Sequence, residues 1–203
     1  MKAPPIANLQ NVSGNFMNDI TTYFNKIGIE EKDLQPFLAF LQVKTYAKGE
    51  IILYNNQTDN YLSFLKSGII RFFVENDGKD ATFDFIFSNS FYCHYDSFYS
   101  RKATQFNSEA LADSEIYRIH YNDLHSLFNT CEYAKDLSRI AVEKLLEKKV
   151  NREILLLTKS PKERYLSLLN EHPKLVQLIP QKYLATYLGV VPETLSRIRS
   201  RIS

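Results

Sequence analysis

The chain has 203 residues, of which 44% are hydrophobic and 24% charged. That is ordinary globular composition, with enough length for one large or two modest domains around a real core. Its two cysteines, Cys93 and Cys131, are too few for a disulfide framework. No apolar run approaches the ~18 residues of a membrane span, and the opening MKAPPIANLQ lacks the apolar centre of a secretory signal. A soluble, cytoplasmic protein with no membrane partner is expected. The net charge of +2 hides an asymmetry: residues 1–140 carry 13 Lys/Arg against 17 Asp/Glu, and residues 141–203 carry 12 against 6. A basic C-terminal third beside an acidic body suits a nucleic-acid partner, although a solvated helical surface would look similar.

In chain order, residues 1–15 read as a loose arm. From about Asn18 to Leu41, apolar residues including Ile20, Phe24, Ile27, Leu34, Phe37 and Leu38 recur at spacings of three and four. This predicts two short helices broken near Gly28, with Pro36 in the first turn of the second. Residues 43–120 change period. VKTYA, EIILY, YLSFL, IIRFFVE, ATFDFIF, FNSEALA and EIYRIH follow one another, separated by turn residues. Asp77-Gly78 marks a hairpin, and Asn55-Asn56 is another of the turn signals. Seven or so strands at this spacing predict a small antiparallel β-barrel or jelly roll.

YNDLHSLF (121–128) predicts a short helix. The longest helical stretch runs from Glu132 to about Lys159, with Val142, Leu146, Val150 and Ile154 on one stripe. A helix of that length can lie along its own barrel on one face and pair with a second copy through the stripe. Ser160-Pro161 ends it, KERYLSLLNE forms another helix, and VQLI fits a short strand. From Ile179 to the C-terminus, the apolar residues Leu184, Leu188, Val190, Leu195 and Ile198 predict two short helices. Ala185 lies at their crossing, Gly189 supplies a positive φ in the turn, and Pro192 begins the second helix. Glu193 and Arg197, four apart, share a face that is not the Leu195/Ile198 face. A helix-turn-helix that reads DNA needs such a second helix, whereas a plain packing hairpin would leave the Glu/Arg face solvated.

This order of elements, with YLATYLGVVPETLSRIR (183–199), YLSFLKSGIIRFFVENDGKDATFDFIF and SEALADSEIYRI, resembles the Crp/Fnr-type transcription regulators over roughly residues 18–203. The resemblance implies an α+β chain: a cyclic-nucleotide-binding-like sensor domain over 1–130, a dimerisation helix over 131–159 and a winged helix-turn-helix over 160–203. It implies double-stranded DNA and a second copy of the chain as partners, with RNA polymerase as a further one, and no enzymatic activity. Glu193 and Arg197 match the family's base-reading positions, and the chemistry agrees: Arg can donate two bonds to guanine, and Glu can accept from cytosine. Thr194, Ser196, Gln181, Lys182, Arg199 and Arg201 are candidates for backbone or auxiliary contacts. Val191 departs from the Ser or Thr often found before the proline, which removes a helix cap worth ~1 kcal/mol.

Cyclic-nucleotide members hold the phosphate with a Gly-Glu segment and an Arg-Ser pair. Here SFYCHYDSFYS has neither Gly nor Glu, and Thr104 and Gln105 stand at the Arg-Ser positions. Arg101 and Lys102, just upstream, could substitute in part. Cyclic AMP binding is therefore expected to be weak or absent, leaving an unknown small-molecule effector possible. Two cysteines are too few for an iron–sulfur cluster in one chain. His94 stays open as a haem ligand, against the commoner case of a lone surface or core histidine. His94, His120, His125 and His172 show no metal-ligand spacing. The alternative to a DNA-binding regulator is a cupin-type small-molecule enzyme or binding module whose C-terminal helices only pack.

Overall fold

The structure is a computed structural model and describes residues 15–25, 31–130 and 132–202. Ile27, Gly28 and Cys131, used in the reading above, lie outside the described residues. Two helices open the described chain, α1 (Asn15–Asn25) and α2 (Glu31–Leu38). Pro36 falls near the end of α2 and not in its first turn. There the missing N–H costs α2 one backbone bond, and the helix closes two residues later through 3₁₀-type bonds from Phe40 and Leu41.

Eight strands follow: β1 (Gln42–Tyr46), β2 (Ile51–Leu53), β3 (Tyr61–Ser67), β4 (Ile69–Asn76), β5 (Lys79–Phe87), β6 (Ser90–Tyr92), β7 (Asn107–Ala110) and β8 (Ser114–His120). They form two antiparallel four-stranded sheets, ordered β1-β8-β3-β6 and β2-β7-β4-β5. This is a jelly-roll-like sandwich, and the barrel does not close. Alternation within a strand says which side is buried, but not which edges meet. The expected hairpin is present, with Asn76 opposite Lys79 across Asp77-Gly78. Asn56 adopts φ 62°, as its type allows.

Each sheet packs on both faces, with the edge strand β1 largely exposed. Leu65 and Ile116 of the first meet Ile70, Phe72 and Ile86 of the second between the layers. On the first sheet's outer face, Leu62, Phe64, Tyr117 and Ile119 pack under α1, α2 and α4 (Tyr121–Thr130). The second sheet's outer face, through Ile69 and Phe85, joins the core of the C-terminal helices. Those helices are the long α5 (Glu132–Thr158), then α6 (Pro161–Glu171), α7 (Pro173–Val176), α8 (Gln181–Tyr187) and α9 (Pro192–Ser200).

VQLI is not a strand. Pro173 opens a helical turn, and the segment continues as turn with Val176 and Ile179 buried. No strand occurs among described residues 132–202, so the expected wing has no counterpart there. α6 starts on a capping box: Ser160 Oγ accepts from the Glu163 N–H, and the Glu163 carboxylate accepts from the Ser160 N–H at 2.8 Å.

Two glycines invite a comparison. At Gly189 (φ 69°) an added Cβ would come no closer than 3.7 Å to another group, so only backbone strain opposes it. At Gly68 (φ 109°) it would lie 2.1 Å from Ser114 Oγ and 2.9 Å from Ser114 Cα, so the paired strand must move as well. Gly189→Ala should cost ~1–2 kcal/mol in urea unfolding, and Gly68→Ala ~3 kcal/mol or more, since overpacking adds to the strain. Equal costs would contradict this account of Gly68.

Candidate nucleic-acid interface

The C-terminal helices are positioned from beneath. Leu184, Ala185 and Leu188 of α8 and its C-cap meet Leu195 and Ile198 of α9 in one buried cluster. The turn between the helices closes when the Val190 N–H donates to the Ala185 carbonyl at 3.0 Å. Two arginines hold the carbonyl end of α8. Arg152 of α5 donates to Tyr187 O and Arg164 of α6 to Leu188 O, each at 2.7 Å. Cations there complement the helix dipole and satisfy carbonyls that lack helical partners.

The side of α8 facing the sandwich is tied to it by Arg71. This side chain is only 2% exposed. Its guanidinium bonds to Glu109 (2.8 Å), Asp80 (3.0 Å) and Thr82 Oγ1 (3.1 Å), and lies between the rings of Phe73 (3.9 Å) and Tyr183 (3.5 Å). The Thr82 N–H donates to Thr186 Oγ1 at 3.1 Å. Sequence reading missed this clasp. A charged residue in the middle of IIRFFVE hinted at it, but its partners are spread over four elements.

The opposite side of α8 and α9 is open. Glu193, Ser196 and Arg197 are exposed on α9, and Lys182 and Gln181 on α8. Gln181 Nε2 donates to Pro192 O (2.8 Å), so this side chain stitches the two helix starts together. Val191 makes no side-chain cap, as expected from its lack of a hydroxyl. Thr194 is half-buried and Arg201 exposed at the end of α9. Arg199 turns inward over the Tyr165 ring (5.6 Å), away from the outer face. Ser200, not singled out from sequence, has helical spacing with Glu193 and Arg197, and its hydroxyl donates to Arg197 O.

The four residues expected around an effector do not converge on a cavity. Arg101 donates to the carbonyls of Asp59 (2.9 Å) and Phe98 (3.1 Å) and covers the Tyr121 ring. Lys102 is exposed. Thr104 Oγ1 donates to the Asp96 carboxylate at 2.9 Å, as does the Gln105 N–H. His94 is a core residue, with Nδ1 3.3 Å from Asp59 Oδ2 and its ring stacked on Phe106 at 4.6 Å.

Val142, Leu146, Val150 and Ile154 form an outward stripe along α5, with Leu146 63% exposed. The other face of α5 meets the sandwich. Asp84 of β5 is paired with Lys148 (2.8 Å) and Lys149 (2.7 Å). Burial pushes the Asp84 carboxyl up, but the two ammonium groups outweigh it and hold it below the usual carboxylate value.

Residues 43–131 match the family model of the cyclic nucleotide-binding domain. No curated protein sequence matches the chain. Among solved structures it is similar to FixK2 from Bradyrhizobium japonicum, with 18% identity, 80% of this chain and 84% of that one covered, and a TM-score of 0.70. It is also similar to the c-di-GMP-responsive global regulator CLP from Xanthomonas campestris (18% identity, 85% and 91% covered, TM-score 0.64). A third is the catabolite activator protein of Thermus thermophilus (20% identity, 89% and 85% covered, TM-score 0.54). The chain thus carries a cyclic nucleotide-binding domain, within a fold shared with regulators of the Crp/Fnr family. Nothing in these matches supports a cupin-type enzyme. Among the described residues no helix is long and apolar enough to cross a membrane.

Proposed function

We propose that this chain is a sequence-specific DNA-binding transcription regulator that acts as a homodimer and is not an enzyme. The observation that carries the reading is α9. Its Leu195/Ile198 side is buried against α8, while Glu193 and Arg197 stand exposed together on the other side. α8 and α9 form the helix-turn-helix, α9 enters the major groove, and Glu193 and Arg197 read base edges. Lys182, Ser196 and Arg201 take the backbone, with Thr194 and Gln181 as auxiliaries. Arg199 has a packing role first. RNA polymerase is the further partner of such a regulator. Selection of bound sequences from random duplexes tests the reading: an inverted repeat should be enriched, and no enrichment over the input pool would sink it.

The homodimer rests on the α5 stripe, whose apolar side chains are exposed in the single chain. A twofold mate would bury them against themselves. Leu146→Lys should turn dimer into monomer in light scattering, and a variant that stays dimeric at micromolar concentration would refute the interface.

Cyclic AMP is not the effector in this reading. The Thr104 hydroxyl and the Gln105 backbone N–H already serve the Asp96 carboxylate. A phosphate brought there would meet a like charge where cyclic-nucleotide members place an arginine.

A further inference from the structure

A cavity of about 430 Å³ lies between β5–β6, α5 and the end of α6, apart from the Thr104/Gln105 loop. We propose that it is a binding site for a small aromatic carboxylate. Three features support that ligand class. The volume falls in the ~300–1,000 Å³ range of small-molecule sites. The walls are largely rings, among them Phe85, Phe87, Phe91 and Tyr95, which accept a flat apolar body and penalise a polar one left without partners. The third feature is an uncommitted lysine on the α5 wall: the lining carboxylates Asp84 and Glu171 match Lys144 and Lys148 in number, but neither pairs with the exposed Lys144. Asp84 already has both Lys148 and Lys149. Lys144 has no carboxylate partner among the described residues, and its Nζ lies over the Tyr23 ring at 5.2 Å. Glu171, at the α6 end, is exposed and accepts a bond from Ser167 Oγ. A carboxylate directed at Lys144 gains a charge-assisted bond that a neutral group does not.

The walls belong to all three parts of the chain. Leu168 and His172 close the α6 end, with the His172 ring 4.0 Å from Phe87. An occupant would therefore bear on how the C-terminal helices sit against the sandwich. Any effect on DNA rests on the function proposed above, whereas binding itself does not.

The test uses the full chain without DNA, and two probes of one shape: 1-naphthaleneacetate and the neutral 2-(1-naphthyl)ethanol. The chain has no tryptophan, so naphthyl emission can be followed without indole emission beneath it. The acid should bind saturably, one per chain, with a Kd of ~1 mM or tighter. The alcohol should bind about tenfold more weakly. Lys144→Gln should bring the acid to the level of the alcohol and leave the alcohol unchanged. Ala141→Phe, which fills the cavity from α5, should abolish both while the melting transition persists. If that variant fails to fold, the acid/alcohol comparison in wild type and Lys144→Gln decides alone. No saturable binding, equal affinity for acid and alcohol, or binding retained in a folded Ala141→Phe would each overturn the proposal.

Discussion

Replacing Lys148 and Lys149 together by glutamine should destabilise the fold by ~3–5 kcal/mol, whereas Asp84→Asn should cost clearly less. The asymmetry comes from where the three groups lie. Asp84 is 2% exposed, while Lys148 and Lys149 are 45% and 26% exposed. Without the lysines the carboxylate stays buried, with no cation to offset its desolvation. Without the carboxylate the lysines can swing into water and hydrate. Acid should narrow the gap. In the wild type the Asp84 carboxyl is held below its unfolded value. Its contribution is therefore present above about pH 4 and lost as pH falls through the lower folded value. In the double variant only burial remains, so the carboxyl is pushed up, and the variant recovers stability by protonating as pH falls. Urea unfolding at pH 7 and at pH 4.5 should show wild type and variant converging. A gap that does not change with pH, or an Asp84→Asn as costly as the double variant, would rule out this account of the α5–sandwich contact.

The comparison shows what can be read along a chain and what cannot. Periodicity marks faces, so the Val142/Leu146/Val150/Ile154 stripe and the buried Leu195/Ile198 side of α9 were legible. So were turns set by one or two residues, such as Asp77-Gly78 and Gly189. Closure and pairing were not, because β1 pairs with β8 and β2 with β7 across more than fifty residues. The short β6 was hidden in an aromatic run with no alternation. VQLI had strand-like composition, but Pro173 set a helical turn just before it. The effector loop shows another limit. Thr104 and Gln105 stand out in the sequence as departures from an Arg-Ser pair, yet Asp96, which accepts from the Thr104 hydroxyl and the Gln105 backbone N–H, lies on a different element. Arg71, Asp84 and Arg152 are single charges within apolar or mixed segments. Only the fold reveals that they hold the sandwich, the long helix and the C-terminal pair together.

Arg197→Ala and Arg201→Ala should both weaken DNA binding, but in different ways. Both side chains are exposed, on or just beyond α9. Arg197 shares its face with Glu193 in the body of the helix, as a base reader must, while Arg201 is the C-cap at its end, the position proposed for a backbone contact. Loss of a bidentate bond to guanine costs ~1–3 kcal/mol per half-site and relaxes the preference at one base pair. In a dimer that loss counts twice, so Arg197→Ala should bring the selected inverted repeat close to unselected DNA. Arg201→Ala should weaken all sequences alike and reduce the slope of log affinity against log salt by about one unit per contact. The two variants share one fold and nearly one surface charge, so the contrast isolates reading from attraction. Equal, sequence-independent losses would mean that α9 presents a basic surface to DNA without reading it, and that Arg197 lacks the role its exposed position beside Glu193 suggests.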